Sequence, residues 1–176
     1  MVQETAVAIT IAPTAWLRTG SLGVLPNSPD GTNFGLVMEN RGTNGDLLKS
    51  SDFEQTTITE KARTLFVLPE CYVPGGAIIF RIRGRIFAAA NVSATIDLTA
   101  YNNAGDGSVS ADLCATAAQA IGTSYADYDF TITPTGLVVG DELNLEVVAA
   151  LNDTGGSATL KRYQITSTKM LLTLKG

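Results

Sequence analysis

The sequence predicts an all-β fold, a two-sheet antiparallel β-sandwich or jelly roll of roughly eight strands with an irregular N-terminal arm. From residue 56 onward, apolar side chains recur at every second position, in segments separated by glycine, proline and asparagine. Helical periodicity is weak throughout. The 176 residues suffice for one domain with a sizeable core. We therefore predict an extended N-terminal arm with short strands over residues 1–55 and the jelly-roll sandwich over residues 56–176.

The predicted arm contains one clear strand, at residues 6–11, among many glycine, proline and asparagine residues. Its apolar side chains lack the period that would place them in a sheet, yet they need a dry environment. They pack either on their own domain or on a neighbouring subunit, and both alternatives stay open here. Trp16 is the only tryptophan and a candidate partner-binding residue. The other apolar side chains are Leu17, Leu22, Val24, Leu25, Phe34, Leu36, Val37 and Met38.

Strict alternation in the second part predicts strands at residues 77–87, 92–100, 126–133 and 142–147. In the last segment, residues 160–174, the apolar positions change from odd to even numbers. One face cannot stay apolar across that change, so we predict a bulge or turn near residues 166–169. The predicted core comprises Ile78, Phe80, Ile82, Ile96, Leu98, Phe130, Ile132, Leu143, Leu145 and Val147.

Three other segments have a local signature. Residues 111–121, with Ala, Leu and Gln, could form a helical turn or two. Residues 73–76, Val-Pro-Gly-Gly, predict a tight turn in which proline sets φ and glycine takes a positive φ. Residues 102–108 combine oxygen-bearing side chains with glycines, but they lack the spaced acids and the final glutamate of a calcium loop. We predict a polar turn there.

Composition excludes several classes of function. The chain has no histidine, which removes Ser-His-Asp and Cys-His nucleophile systems, imidazole bases and histidine-ligated metals. With 12 basic and 17 acidic residues the net charge is −5, which disfavours nucleic acid as a partner. No apolar run is long enough to span a bilayer, and the first residues do not resemble a secretory signal. We expect no enzyme, no cofactor, no metal site, no nucleic-acid partner and no membrane partner.

The remaining reactive side chains form no recognisable site. Cys71 and Cys114 are the only cysteines and lack the spacing of a redox or zinc motif. Two free thiols are expected, and a bridge stays open if their strands are adjacent. Glycoside hydrolysis needs two carboxylates at a defined separation, and nothing distinguishes one pair among the acids of this chain.

Three arginines form the densest cationic feature. Arg81, Arg83 and Arg85 alternate with apolar residues, so they share one exposed face of a strand. They could pair across strands with outward acids, or form a docking patch for carboxylates of another protein. With Trp16 they are our candidate partner-binding residues. The outward acids considered for pairing are Asp97, Asp127, Asp129, Glu142 and Glu146.

Several aromatic side chains suggest a second kind of binding. Trp16, Tyr101, Tyr125 and Tyr128 could form a platform for sugar stacking, as in a carbohydrate-binding module. Aromatic residues are only 7% of the chain, however, which favours core or interface packing instead.

Several short motifs follow one another in the second part of the chain. They are Phe66-Val67-Leu68-Pro69, Tyr72-Val73-Pro74-Gly75-Gly76, Ile82-Arg83, Asp97-Leu98-Thr99-Ala100-Tyr101, Thr131-Ile132-Thr133-Pro134-Thr135-Gly136-Leu137 and Gly140-Asp141-Glu142-Leu143. Their order resembles that of small jelly-roll structural proteins encoded by tailed bacteriophages, among them capsid decoration, or cement, proteins. The similarity covers roughly residues 56–176. It implies a major capsid protein as partner, a homotrimer, a location on the capsid surface of the virion and synthesis in the bacterial host cytoplasm.

The leading hypothesis is therefore a non-enzymatic virion structural protein, a decoration protein that binds between major capsid subunits and stabilises them. Such a protein needs contact area and no chemistry, which agrees with the low charged fraction of 16%. A head-fibre or tail component would share the same strand pattern. The alternative from a different class is a carbohydrate-binding module or adhesin.

Overall fold

A computed structural model describes residues 3–19, 25, 36, 48–50, 57–87, 92–103, 108–153 and 161–176. These residues form ten β-strands and one short 3-10 turn, so the all-β prediction is confirmed. Within these ranges, no helix reaches the length and apolarity of a membrane span. The elements are β1 (Glu4–Thr10), a 3-10 turn (Pro13–Ala15), β2 (Leu17–Arg18), β3 (Leu48–Lys49), β4 (Thr57–Val67), β5 (Ile78–Phe87), β6 (Val92–Asn103), β7 (Gln119–Ala120), β8 (Ala126–Ile132), β9 (Glu142–Asp153) and β10 (Arg162–Lys175).

The strands form two antiparallel sheets. Sheet A has the order β1-β10-β5-β8, with β3 also paired to β10, and sheet B has the order β2-β4-β9-β6-β7. With the two-residue strands β2 and β3 set aside, and the equally short β7 kept as the edge of sheet B, eight strands remain, four in each sheet. Counted along the chain, they stand in the order 1-8-3-6 in sheet A and 2-7-4-5 in sheet B. This is the strand order of a jelly roll.

The predicted core lies between the two sheets. All ten predicted core side chains are buried, with at most 1% exposure. Tyr163, on β10 of sheet A, spans the sandwich. Its hydroxyl donates to the carbonyl of Thr95 at 2.8 Å and also lies against the carbonyl of Ala150, both in sheet B. A polar group thus ties the two layers together inside an otherwise apolar interior.

One side of the sandwich is closed by the N-terminal segment. After β1 the chain leaves sheet A, where the Ile11 amide donates to the Thr168 carbonyl at 3.0 Å. It then reaches sheet B, where the Thr64 hydroxyl donates to the Ala15 carbonyl at 2.9 Å. Trp16 follows directly and inserts into the core. The N-terminal segment therefore contributes strands to both sheets.

The apolar side chains described in residues 1–55 pack on their own domain. Trp16, Leu25, Leu36 and Leu48 are all buried in the common core. Of the two alternatives for the arm, packing on its own domain holds for these residues. Five of the arm residues that we considered lie outside the described part of the chain, namely Leu22, Val24, Phe34, Val37 and Met38.

The other side is closed by residues 108–122, where the helical turn considered for residues 111–121 does not form. The Leu113 amide donates to the Ala100 carbonyl of sheet B at 2.7 Å, and the Ala115 amide donates to the Thr131 carbonyl of sheet A at 2.9 Å. The backbone amides of this segment therefore hydrogen-bond to carbonyl groups of β6 and β8. Helix propensity is weaker than the need to pair those edge groups.

Two local predictions are confirmed. The register between β10 and β5 shifts between Ile165 and Ser167, which is the expected bulge. Gly75 has a φ of 80°, and the Gly76 amide donates to the Val73 carbonyl at 2.8 Å, which closes the predicted turn. Part of the polar turn predicted at 102–108, residues 104–107, lies outside the described residues.

Candidate functional site on the outer face of sheet A

The predicted arginines lie on the solvent side of sheet A, because their apolar neighbours on β5 point into the core. We call this surface, formed by the outward side chains of β1, β10, β5 and β8, the outer face of sheet A. Among the described residues of these four strands, the register places six cations and three carboxylates on this face, a surplus of three positive charges. The chain as a whole carries −5. The cations are Arg81, Arg83, Arg85, Arg162, Lys169 and Lys175, and the acids are Glu4, Asp127 and Asp129.

Two of the arginines, Arg81 and Arg83, form ion pairs with Asp127 and Asp129 on the edge strand β8. We call these four residues the arginine ladder. Arg81 binds Asp129 through two parallel hydrogen bonds, from Nε and Nη2, each 2.6 Å long. Arg83 donates from Nη1 to Asp127 at 2.9 Å, and Arg81 lies 3.7 Å from the same carboxylate. The cross-strand pairing proposed from the sequence is therefore confirmed for Asp127 and Asp129.

Within the ladder, the pair of Arg81 and Asp129 shifts the ionisation of both its side chains. The hydrogen bond from Arg81 lowers the pKa of Asp129 below its ordinary value, and the same bond raises the pKa of Arg81. Arg81 and Asp129 have side-chain exposures of 36% and 41%, so solvent screens the pair and its stabilisation is below about 1 kcal/mol. Both charges are already neutralised within the chain, which leaves the ladder little capacity to bind a carboxylate from outside.

Arg85 has a different environment. Its Nε donates to the Gln164 side chain at 2.7 Å, and its guanidinium lies 4.5 Å from the ring centre of Tyr125. The exposed ring of Phe87 is 5.9 Å from the same guanidinium, and Arg162 approaches that ring to 5.3 Å. We call these five residues the Phe87 cluster. It places two cations and two aromatic rings on one part of an exposed sheet face.

The structure places the fourth predicted partner-binding residue, Trp16, in the core. Its side chain is 1% exposed, its ring packs edge-to-face on Phe80 with centroids 6.1 Å apart, and its indole N–H donates to the Thr168 hydroxyl at 3.3 Å. The need for a dry environment that motivated the prediction is met within the chain itself. Trp16 and the three arginines do not form one surface.

The aromatic side chains considered for sugar stacking are also dispersed. Trp16 and Tyr128 are buried, Tyr125 contacts Arg85 on sheet A, and Tyr101 lies on the outward side of sheet B. The outer face of sheet B does contain a depression of about 130 Å³. It is lined by Thr57, Ser93, Thr95, Ala150, Leu151 and Asn152. Four of these six side chains carry a hydroxyl or amide group, although most of the exposed lining is apolar, and the Thr57 hydroxyl donates to the Asn152 side chain at 2.9 Å.

Other polar groups give no metal or thiol site in the described ranges. No three carboxylates or cysteines there are arranged to hold a metal ion. Cys71 and Cys114 are both free, as expected, and burial raises the pKa of the Cys114 thiol. Lys161 and Asp153 form a fully buried ion pair 2.5 Å long between the ends of β9 and β10. The pair links the end of β9 in sheet B to the residue before β10 in sheet A, and both side chains are buried.

Sequence reasoning missed most of the Phe87 cluster. Phe87 is an apolar residue at an outward position of β5, which interrupts the alternation and was the available signal. Arg162 and Gln164 come next to Phe87 and Arg85 only through the register of β10. No short-range pattern in the sequence indicates that pairing, because the strands are more than seventy residues apart.

No protein-family model and no curated protein matches this chain. Among solved structures, that of infectious bursal disease virus Gx strain is 11% identical with a TM-score of 0.43, over 99% of this chain and 32% of that chain. The CBM22-1-GH10 modules of the Clostridium thermocellum xylanase 10B, complexed with xylohexaose, are 11% identical with a TM-score of 0.46, over 97% of this chain and 28% of that chain. A structure described for the promiscuous specificity of carbohydrate-binding modules of the β-sandwich superfamily is 12% identical with a TM-score of 0.41, over 97% and 56% of the two chains.

This chain therefore spans less than two thirds of each of these proteins. With TM-scores below 0.5, the likenesses carry no argument about function. The fold assignment rests on the sheets and their strand order described above.

Proposed function

We propose that this chain is a non-enzymatic virion structural protein, a capsid decoration protein that binds between major capsid subunits and stabilises the shell. The observation that carries the proposal is the outer face of sheet A. On this face an acidic protein presents a surplus of positive charge and an exposed aromatic ring. The resemblance of residues 56–176 to phage jelly-roll structural proteins supports the same role.

The oligomer and the location follow as parts of this proposal. We propose a homotrimer on the capsid surface of a virion assembled in a bacterial cytoplasm, since closed rotational symmetry satisfies repeated contacts. Because Trp16 is buried in its own sandwich, the trimer contact is expected at other residues. Light scattering of the full chain at micromolar concentration should give three times the monomer mass, and a monomer would exclude the trimer as a free species.

The direct test of the proposed role is to measure the protein composition of purified capsids. Capsids of the virus that encodes this chain should contain it in a copy number comparable to that of the shell subunit, measured by quantitative mass spectrometry of gradient-purified particles. Particles that lack it should lose shell integrity at a lower temperature. Purified capsids without the chain, or with only a few copies, would contradict the decoration role and favour a fibre or tail position.

Carbohydrate binding is the second candidate function, and the depression on the outer face of sheet B favours it. Hydroxyl and amide side chains such as Thr57, Thr95 and Asn152 are suited to hydrogen bonds with sugar hydroxyls. Glycan-array binding that is lost in Asn152→Ala would support this function. Trp16→Ala is not an informative variant for it, because Trp16 contributes to the core.

A further inference from the structure

We infer that the Phe87 cluster is the contact point for an acidic segment of the major capsid protein, with a carboxylate bound by Arg85 and an apolar side chain packed on Phe87. This inference rests on the proposed function and names the chemistry of the partner. It narrows the three candidate arginines to one. Arg81 and Arg83 are excluded as the carboxylate-binding residue because they already form ion pairs with Asp129 and Asp127.

Arg85 is the outward arginine of β5 without a carboxylate partner in the described chain. Its one side-chain hydrogen bond there runs from Nε to the neutral amide of Gln164, so neither Nη group donates to an acceptor among the described residues. These Nη groups form the part of the guanidinium that binds a carboxylate with two parallel hydrogen bonds. Arg85 therefore keeps both its charge and its fork geometry for an external ligand.

The guanidinium of Arg85 is also held in place before any partner arrives. Gln164, which accepts the Nε hydrogen bond, is itself only 2% exposed, and Tyr125 lies 4.5 Å from the guanidinium. A long side chain that is already ordered loses less conformational entropy on binding. Arg83, in contrast, has a side-chain exposure of 49% and one ion pair with Asp127.

Phe87 supplies the apolar part of the contact. Its side chain is 47% exposed although it lies on a regular strand, and guanidinium groups stand 5.9 and 5.3 Å from its ring centre. Aromatic rings with neighbouring arginines are the composition of interface hot spots. A ring so placed would be covered by an apolar side chain next to the bound carboxylate.

The charge distribution selects an acidic protein segment as the occupant. The surplus of three positive charges on the outer face of sheet A attracts carboxylates locally, whereas the net charge of −5 repels a polyanion that extends over the whole molecule. Nucleic acid is such a polyanion, and a short acidic segment of a protein is not.

The test compares Arg85→Gln with a matched control, Arg83→Gln, on the same strand and face. Affinity of the full chain for capsids that lack it is measured by co-sedimentation. We expect Arg85→Gln and Phe87→Ser each to weaken binding by about tenfold or more, and Arg83→Gln by no more than about twofold. Arg85→Lys, which keeps the charge but not the fork, should lie between wild type and Arg85→Gln.

The outcomes separate the two proposals. If the wild-type chain does not bind capsids, the decoration role is contradicted, and this inference with it. If the wild type binds and Arg85→Gln binds as well as Arg83→Gln does, only the inference is overturned. Binding of wild type to a DNA duplex that is lost in Arg85→Gln would overturn the assignment to an acidic protein segment. Thermal unfolding of each variant establishes that it is folded. If Arg85→Gln does not fold, the capsid affinity of Phe87→Ser provides an independent test.

Discussion

The two faces of strand β5 have opposite chemistry and, in our account, opposite roles. The inward side chains are Ile78, Phe80, Ile82 and Ile86, all buried, whereas the outward ones are Ile79, Arg81, Arg83, Arg85 and Phe87. Burial of the inward face contributes to the free energy of folding. The outward face contributes little to it, since its ion pairs are exposed to solvent. Substitutions on the inward face of this strand should therefore change the free energy of unfolding, whereas substitutions on the outward face should change partner binding.

The largest expected effect belongs to the inward side. Trp16→Ala should lower the free energy of unfolding by about 3–5 kcal/mol, because it opens a cavity against Phe80 and leaves the Thr168 hydroxyl without its indole partner. Urea denaturation measures the change. Molecules that remain folded should bind capsids as the wild type does. A variant with wild-type stability and lost capsid binding would instead place Trp16 at an interface.

A smaller loss is expected when the polar link between the sheets is removed. Tyr163→Phe should cost about 1–3 kcal/mol, since the carbonyls of Thr95 and Ala150 lose their hydroxyl partner while they stay in the sandwich. Burial raises the pKa of Tyr163, so its phenolate should be absent from the ultraviolet absorbance of the native protein at alkaline pH. Equal stability of Tyr163→Phe and wild type would show that the hydroxyl does not hold the layers together.

The smallest effect is expected on the outward side. Asp129→Asn removes the bidentate partner of Arg81 and should cost less than about 1 kcal/mol at pH 7. The folded pKa of Asp129 is lowered, so its stabilisation is complete above the ordinary carboxyl range and is lost as the pH falls through the folded value. The stability difference between wild type and Asp129→Asn should therefore shrink below about pH 4. A constant difference from pH 7 to pH 2 would contradict this assignment.

The strands could be predicted from the sequence because apolar and polar residues alternate along them, with the apolar side chains in the core and the polar ones toward solvent. On β5 the three arginines alternate with buried apolar residues from residue 80 to residue 86, so period and orientation could be assigned without the partner strands. The bulge at Thr166 was predicted for the same reason, since the apolar positions change parity there. The helical turn considered at residues 111–121 does not form, because the backbone of this segment donates to the carbonyls of Ala100 and Thr131, and local composition does not indicate those partners.

The candidate site was predicted only in part. The arginines could be assigned to one face, but their division into paired and unpaired members depends on which residue stands opposite each one. Asp129 lies opposite Arg81, whereas Gln164 lies opposite Arg85, and both pairings are set by strand register. Trp16 could not be placed, because the segment around it has no period and enters the core through a crossing between the sheets.

The central claim is that this sandwich decorates a capsid with the outer face of sheet A toward the shell. A cryo-electron microscopy reconstruction of the virion tests it most directly. Our account predicts density for a two-sheet sandwich on the shell exterior, with Arg85 and Phe87 against an acidic loop of the capsid subunit and sheet B toward solvent. Density with sheet B against the shell, or a shell with no such density, would contradict it.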